Sequence, residues 1–173
     1  MNHIEHLESI NACRGAIDFA SQYDSLEAAW LACKRGDWLL WYAGRVAGPP
    51  ESESRRKLVL AACDCAELAV QWMPAAGIEC IRVARAWARG EATLDELKDA
   101  RRAAYSAYSA ANAANAADAA DAADAADAAA NAAAANAADA AYSAANARNR
   151  VLRECADIVR RHYSTPPALE TAQ

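Results

Sequence analysis

Few side chains in this 173-residue sequence have both the type and the spacing to do chemistry. Asp64 and Glu67 stand three apart on an expected helix, which puts two carboxylates on one face. Such a pair can share acid–base work; the plainer reading is a solvated polar stripe. Cys63 and Cys65 are two apart, so on a helix they point about 200° from each other and cannot share a metal. The cysteines (Cys13, Cys33, Cys63, Cys65, Cys80 and Cys155) read as reduced, small buried side chains rather than as disulfide partners. His3 and His6 share a helical face, but no Cys or carboxylate stands near them at a ligand spacing. There is no Gly-rich phosphate loop, no His-Glu-x-x-His and no Gly-x-Ser-x-Gly. The expectation is a protein without catalytic, cofactor-binding or metal-binding residues, and not an enzyme.

Charge offers more. The net charge is −5, and its location is uneven. Between residues 103 and 147 stand five acids (Asp118, Asp121, Asp124, Asp127 and Asp139) and no Lys or Arg. The other 18 acids are balanced by 18 bases. These five aspartates are the candidate partner-binding residues. A basic nucleic-acid footprint is absent from the whole-chain balance, so direct nucleic-acid binding is not expected. Arg55-Arg56-Lys57 opens a helix with charge set against the macrodipole. A partner's acidic face or a neighbouring carboxylate would give that run a reason. Trp38, Trp41 and Tyr42 cluster on one helix and read as core.

The elements that must position these residues are all helical. Six Gly and five Pro fall almost entirely before residue 91 or after 165, which argues against a sandwich or barrel. No run of β-branched residues reads as a central strand. A first helix over about 3–22 aligns Ile4, Leu7, Ile10, Cys13 and Ile17. Asp24 with Glu27 forms a capping box for a helix ending near Gly36, and Asp37 caps the next. Residues 51–54 read as an exposed loop. The segment 55–73 has its polar residues after Lys57 (Asp64, Glu67, Gln71) on one narrow stripe, so it reads as the central helix. A helix over 78–89 closes at Gly90, and Thr93 with Glu96 starts another.

From Ala110 to Ala141 all but nine of 32 residues are Ala. Ala has the best helix propensity, so this stretch is expected to be helical. Its Asp residues recur every three positions, and each is rotated about 60° back from the one before. The carboxylates therefore wind around the axis, and no dry face persists. Replication slippage accounts for such a repeat without any function. The hexapeptide 107–112 recurs at 141–146, with its midpoint near Asp127. An antiparallel hairpin with its tip at 127–136 would bring the copies together, Asn131 and Asn136 being the only turn candidates. The alternative is one helix of about 70 residues, roughly 105 Å long. A closing helix over 147–163 carries Val151, Leu152, Cys155, Ile158, Val159 and His162 inward and pairs Asp157 with Arg161. A frayed tail follows. The sum is one all-α domain, a helical bundle with a projecting Ala-rich helix or hairpin: a packed core over 1–102, the extension over 103–147, the closing helix over 148–163 and the tail over 164–173.

Residues 1–10 show no apolar targeting core, and no run of 18 apolar residues could span a bilayer. A cytoplasmic protein with no membrane partner is expected. The runs Arg35-Gly-Asp-Trp-Leu-Leu-Trp-Tyr-Ala-Gly-Arg45, Arg56-Lys-Leu-Val-Leu-Ala-Ala-Cys-Asp-Cys-Ala66 and Ala86-Trp-Ala-Arg-Gly-Glu-Ala-Thr-Leu-Asp-Glu-Leu97 precede the Ala-rich stretch. Together they resemble an all-α immunity-protein family of bacterial polymorphic toxin systems, over about residues 7–163. The resemblance implies a gene beside a toxin and a protein that neutralises that toxin by binding it. It carries over no catalytic residues. The strict Asp triplets depart from the family, whose members often have Tyr, Arg or plain Ala there. Two alternatives stay open. One is a phage-type inhibitor of a defence protein, its winding carboxylates imitating a phosphate backbone. The other is a structural or interaction helix protein. An exposed Ala-rich hairpin would also offer a surface for a homo-oligomer.

Overall fold

The computed structural model describes residues 2–49, 52–107 and 130–168. Among these every regular element is a helix. In chain order they are α1 (His3–Ser9), α2 (Arg14–Ala20), α3 (Leu26–Ala32), α4 (Gly36–Val46), α5 (Glu53–Glu67), a 3₁₀ turn (Val70–Trp72), α6 (Ala75–Arg89), α7 (94–107) and α8 (Ala130–His162). The chain divides into two compact units, Met1–Leu68 with Val151–Gln173, and Ala69–Arg150.

The first unit holds a continuous apolar core. Ala61, Ala156 and Val159 are fully buried, and Trp30, Leu39, Ala43 and Val46 join them. The expected helix over 3–22 is two helices. Asn11 breaks it by adopting φ 61°, which Asn tolerates better than most residues. Its N–H donates to the Glu8 carbonyl at 2.9 Å and that of Ala12 to the Leu7 carbonyl at 2.9 Å, closing α1 as a Gly would.

Several caps differ from expectation. Ser25, not Asp24, caps α3: its side chain accepts from the Ala28 N–H at 3.1 Å. α3 stops at Ala32, and Gly36 is the first residue of α4 rather than the end of α3. The reason lies across the core. A Cβ at Gly36 would stand 2.3 Å from the Cβ of Cys155 and 2.7 Å from the Ala156 nitrogen. Gly36 is where α4 and α8 touch backbone to backbone. Asp37 sits inside α4 and receives two bonds from Arg35, at 2.8 and 2.6 Å, instead of capping the helix.

The segment 55–73 is not one helix. α5 begins at Glu53 behind the Ser52 cap and ends at Glu67. It buries Ala61, Cys63 and Cys65 but leaves Ala62 exposed, so its dry face is narrower than the pattern suggested. Ser54 is not in a loop; its Oγ accepts from the Gly48 N–H at 3.0 Å. The tail is held: the Tyr42 hydroxyl donates to the Pro167 carbonyl at 3.4 Å, and the Trp30 indole N–H to the Tyr163 carbonyl at 3.0 Å.

In the second unit α6 starts at Ala75, directly after Pro74, and buries Val83, Trp87 and Ala88. Gly90 ends it at φ 81°, with its N–H on the Trp87 carbonyl and that of Glu91 on the Ala86 carbonyl. The Thr93–Glu96 capping box is present, at 2.7 and 3.2 Å. α8 is unbroken from Ala130, so the closing helix and the end of the Ala-rich stretch are one element. Nothing between them breaks a helix, and Ala favours it. Asn131 and Asn136 are helical, which removes Asn136 as a turn. The choice between hairpin and single long helix falls on residues 108–129, outside the described residues.

Candidate functional site

The polar groups of the first unit converge on α5, the end of α8 and the tail. His162 Nε2 lies 2.6 Å from Asp64 Oδ2, the pair joining α8 to α5. Both are partly exposed, at 22% and 31% of their side chains. Glu67 is more exposed, one turn away. Asp64 is therefore matched with an imidazole rather than with the second carboxylate of its stripe. Beside it lies an open groove of about 480 Å³ with Glu53, Ser54, Lys57, His162 and Tyr163 on its walls. An imidazole oriented by a carboxylate is the arrangement of a general base. Here Asp64 is the only hydrogen-bond partner of His162 among the described residues. The geometry resembles an interhelical tie, charged when the imidazole is protonated.

The basic run at the start of α5 has a reason that the sequence did not suggest. The Arg55 guanidinium donates to the carbonyls of Gly48 at 3.0 Å, Ala47 at 3.1 Å and Gly44 at 3.5 Å. These are the open carbonyls at the end of α4, and a cation there opposes the negative end of the helix dipole. Arg55 thus answers α4 rather than a carboxylate or an acidic partner. Lys57 lies over the Tyr163 ring, 4.8 Å from its centre. Arg160 repeats the device, donating to the carbonyls of Cys33 at 2.7 Å and Trp30 at 3.2 Å at the end of α3. Its other arm pairs with Asp157 at 2.6 Å, which corrects the expected Asp157–Arg161 pairing. Three apart on one helix suffices, and Arg161 is not needed.

The expected burial holds for Cys33, Cys63 and Cys65, while Cys13 is exposed and Cys80 and Cys155 are half-buried. Burial, with Cys155 next to it, pushes the Cys65 thiol up to about 12. Burial also raises Cys33 and Cys155. A thiol so placed stays protonated near neutrality and is a poor nucleophile. Among the described residues no group of three or more His, Cys, Asp or Glu could hold a metal ion. No described helix is long and apolar enough to cross a membrane.

The aromatic cluster on α4 splits. Tyr42 is buried, its hydroxyl accepting from His6 Nε2 at 3.1 Å, and Trp38 is half-buried under Arg35. Trp41 is 38% exposed, with the Arg45 guanidinium 6.0 Å from its ring centre. Asp118, Asp121, Asp124 and Asp127 lie outside the described residues. Asp139 is on α8, and its side chain is likewise outside the description. Sequence reasoning missed Arg55, Arg160 and His162 as tertiary anchors, because each partner lies in another element and no spacing announces it. Comparison with known proteins finds no match to any family model, curated protein or solved structure.

Proposed function

We propose that the protein is a non-enzymatic inhibitor that neutralises a toxin by direct binding, an immunity protein acting in the cytoplasm. The feature that supports this reading is the contrast between charge engaged within the first unit and a run of one sign in the sequence. In the first unit, Arg55, Arg160 and the Asp64–His162 pair are taken up in joining helices. The five acids of residues 103–147 have no base within their segment. A single-signed run of this kind speeds encounter with a basic partner and loses its influence as salt rises.

The test is growth of a bacterium producing the toxin encoded beside this gene, with and without the chain. Growth restored by the wild type, together with a complex of the two purified proteins, is the expected result. Replacing Asp118, Asp121, Asp124 and Asp127 by Asn should slow association at low salt and leave it unchanged at high salt. Failure to restore growth, or restoration without a complex, overturns the reading.

A further inference from the structure

Two of the six cysteines meet inside the first unit, and they come from different helices. Cys65 lies near the end of α5 and is buried; Cys155 lies on α8 and is half-buried. They are 90 positions apart, yet the Cys65 Sγ stands 3.7 Å from the Cys155 carbonyl oxygen. The two thiols are also hydrogen-bond partners of each other. A thiol that reaches the backbone and the sulfur of another cysteine is within range of a disulfide, which needs the two Cα atoms within about 7 Å.

The packing around the pair holds it in place. Ala61, one turn before Cys65, and Ala156, next to Cys155, are both fully buried, and side chains this small let helices approach closely. On the other side of Cys155 the backbone of α4 presses in at Gly36. Cys155 is thus fixed between α4 and α5. The register also selects the partner. Cys63 is two positions before Cys65 and points about 200° round the helix from it. The two cysteines have different access to solvent. Cys155 is the more open, and the bond it receives from the Cys65 thiol favours its thiolate, although burial raises both groups on balance.

We propose that Cys65 and Cys155 form a modification site, a thiol pair that hydrogen peroxide oxidises to an intramolecular disulfide between α5 and α8. The Cys155 sulfur, as thiolate, attacks one peroxide oxygen. The O–O bond breaks, and the departing hydroxide takes up the thiol proton as water, leaving a sulfenic acid. The Cys65 sulfur then attacks the Cys155 sulfur. The S–O bond breaks, and its hydroxide leaves with the Cys65 proton as a second water. The thiol pair gives up two electrons and the peroxide is reduced by two. Both thiols are protonated near neutrality, so the first step is slow and the site answers sustained rather than brief oxidation. The new bond closes residues 65–155 into a covalent loop that contains the whole of the second unit, Ala69–Arg150. Closing so long a loop removes freedom from the unfolded chain and stabilises the first unit. The inference is independent of toxin binding.

The test is to incubate the folded full chain with hydrogen peroxide, block the remaining thiols by alkylation and map the tryptic digest by mass spectrometry. The expected product is a monomer in which the peptide Glu154–Arg160 is joined to Cys65, its mass two hydrogens below the sum of the two peptides. Its urea midpoint should lie about 1 M or more above that of the reduced chain and return on adding dithiothreitol. Cys65→Ala should stop at the sulfenic acid of Cys155, captured by dimedone, while Cys80→Ala should still form the bridge. Circular dichroism checks that the variants are folded; Cys65→Ser replaces a Cys65→Ala that is not, and the wild-type map needs no variant. A folded wild type that forms no bridge overturns the proposal. So does a bridge from Cys155 to Cys63, to Cys80 or to a second copy of the chain, or a Cys65–Cys155 bridge that leaves the midpoint unchanged.

Discussion

Arg55 and Arg160 of the first unit do different work from Arg82 and Arg102 of the second. In the first unit Arg55 and Arg160 reach across to carbonyls of other helices, Arg160 to residues 127 and 130 positions away. In the second, Arg82 pairs with Glu79 and Arg102 with Asp99, each three positions back on its own helix. The first kind of bond exists only when the unit is folded. The second kind is available to any isolated helix and is largely screened by water. The apolar side chains tell the same story: the first unit has a continuous core, while the described part of the second buries Val83, Trp87 and Ala88. Among the described residues, the arginine bonds named for the first unit are tertiary and those named for the second are local.

Glycine gives the sharpest way to break this comparison. Gly36→Ala forces a Cβ to 2.3 Å from Cys155 Cβ, against backbone that cannot yield cheaply. The expected loss is about 3 kcal/mol or more, read as a large fall in denaturation midpoint. Gly77→Ala in α6 should move the other way. Its Cβ would meet nothing nearer than Met73 Cβ at 3.6 Å, an ordinary contact, and Ala is the better helix former. A gain of about 0.5–1 kcal/mol is expected. Equal effects at the two positions would refute the distinction.

Arginine replacement is the next largest effect. Arg160→Met leaves the Trp30 and Cys33 carbonyls without their donor and should cost about 2–3 kcal/mol by urea denaturation. Arg82→Met, in an exposed pair within α6, should leave the midpoint unchanged. Trp30→Phe keeps most of the packing but removes the buried indole donor from the Tyr163 carbonyl. A loss of about 1–2 kcal/mol and earlier proteolysis of the tail are expected.

The smallest effect is a pH dependence. The Arg35 guanidinium beside Asp37 holds its carboxyl below the ordinary aspartate value. The folded state therefore binds the proton less readily than the unfolded chain. The pair's contribution is complete above about pH 4 and fades as pH falls through the lowered value. In Asp37→Asn that part of the acid limb should vanish, measured as midpoint against pH. An unchanged acid limb would show that the bidentate pair adds nothing.

Much of the helical pattern was legible in the residues. Gly90 as a left-handed stop and Thr93–Glu96 as a capping box both follow from side chains within four positions of one another. The same locality explains the misreadings. Asn11 was invisible inside an apolar period that continues through it, because the period reports burial and not backbone conformation. Gly36 resembled a helix stop because a glycine's type does not say whether it serves a turn or a close approach. Asp64 resembled half of a carboxylate pair because its true neighbour, His162, lies 98 positions away.

The sequence by itself determined that the chain is helical, that α6 stops at Gly90 and α7 starts behind the Thr93–Glu96 box, and that its unbalanced acid lies in residues 103–147. These are properties of propensity, period and composition, and all act over a few residues. Only the tertiary structure decided that Arg55 and Arg160 close the ends of other helices, that Gly36 admits the backbone of α8, and that Trp41 stays open while Tyr42 is buried. A hydrogen bond or a steric clash depends on which atoms come within about 3 Å. For residues more than a hundred positions apart, that distance is set by the packing of the helices between them and is written in no local pattern.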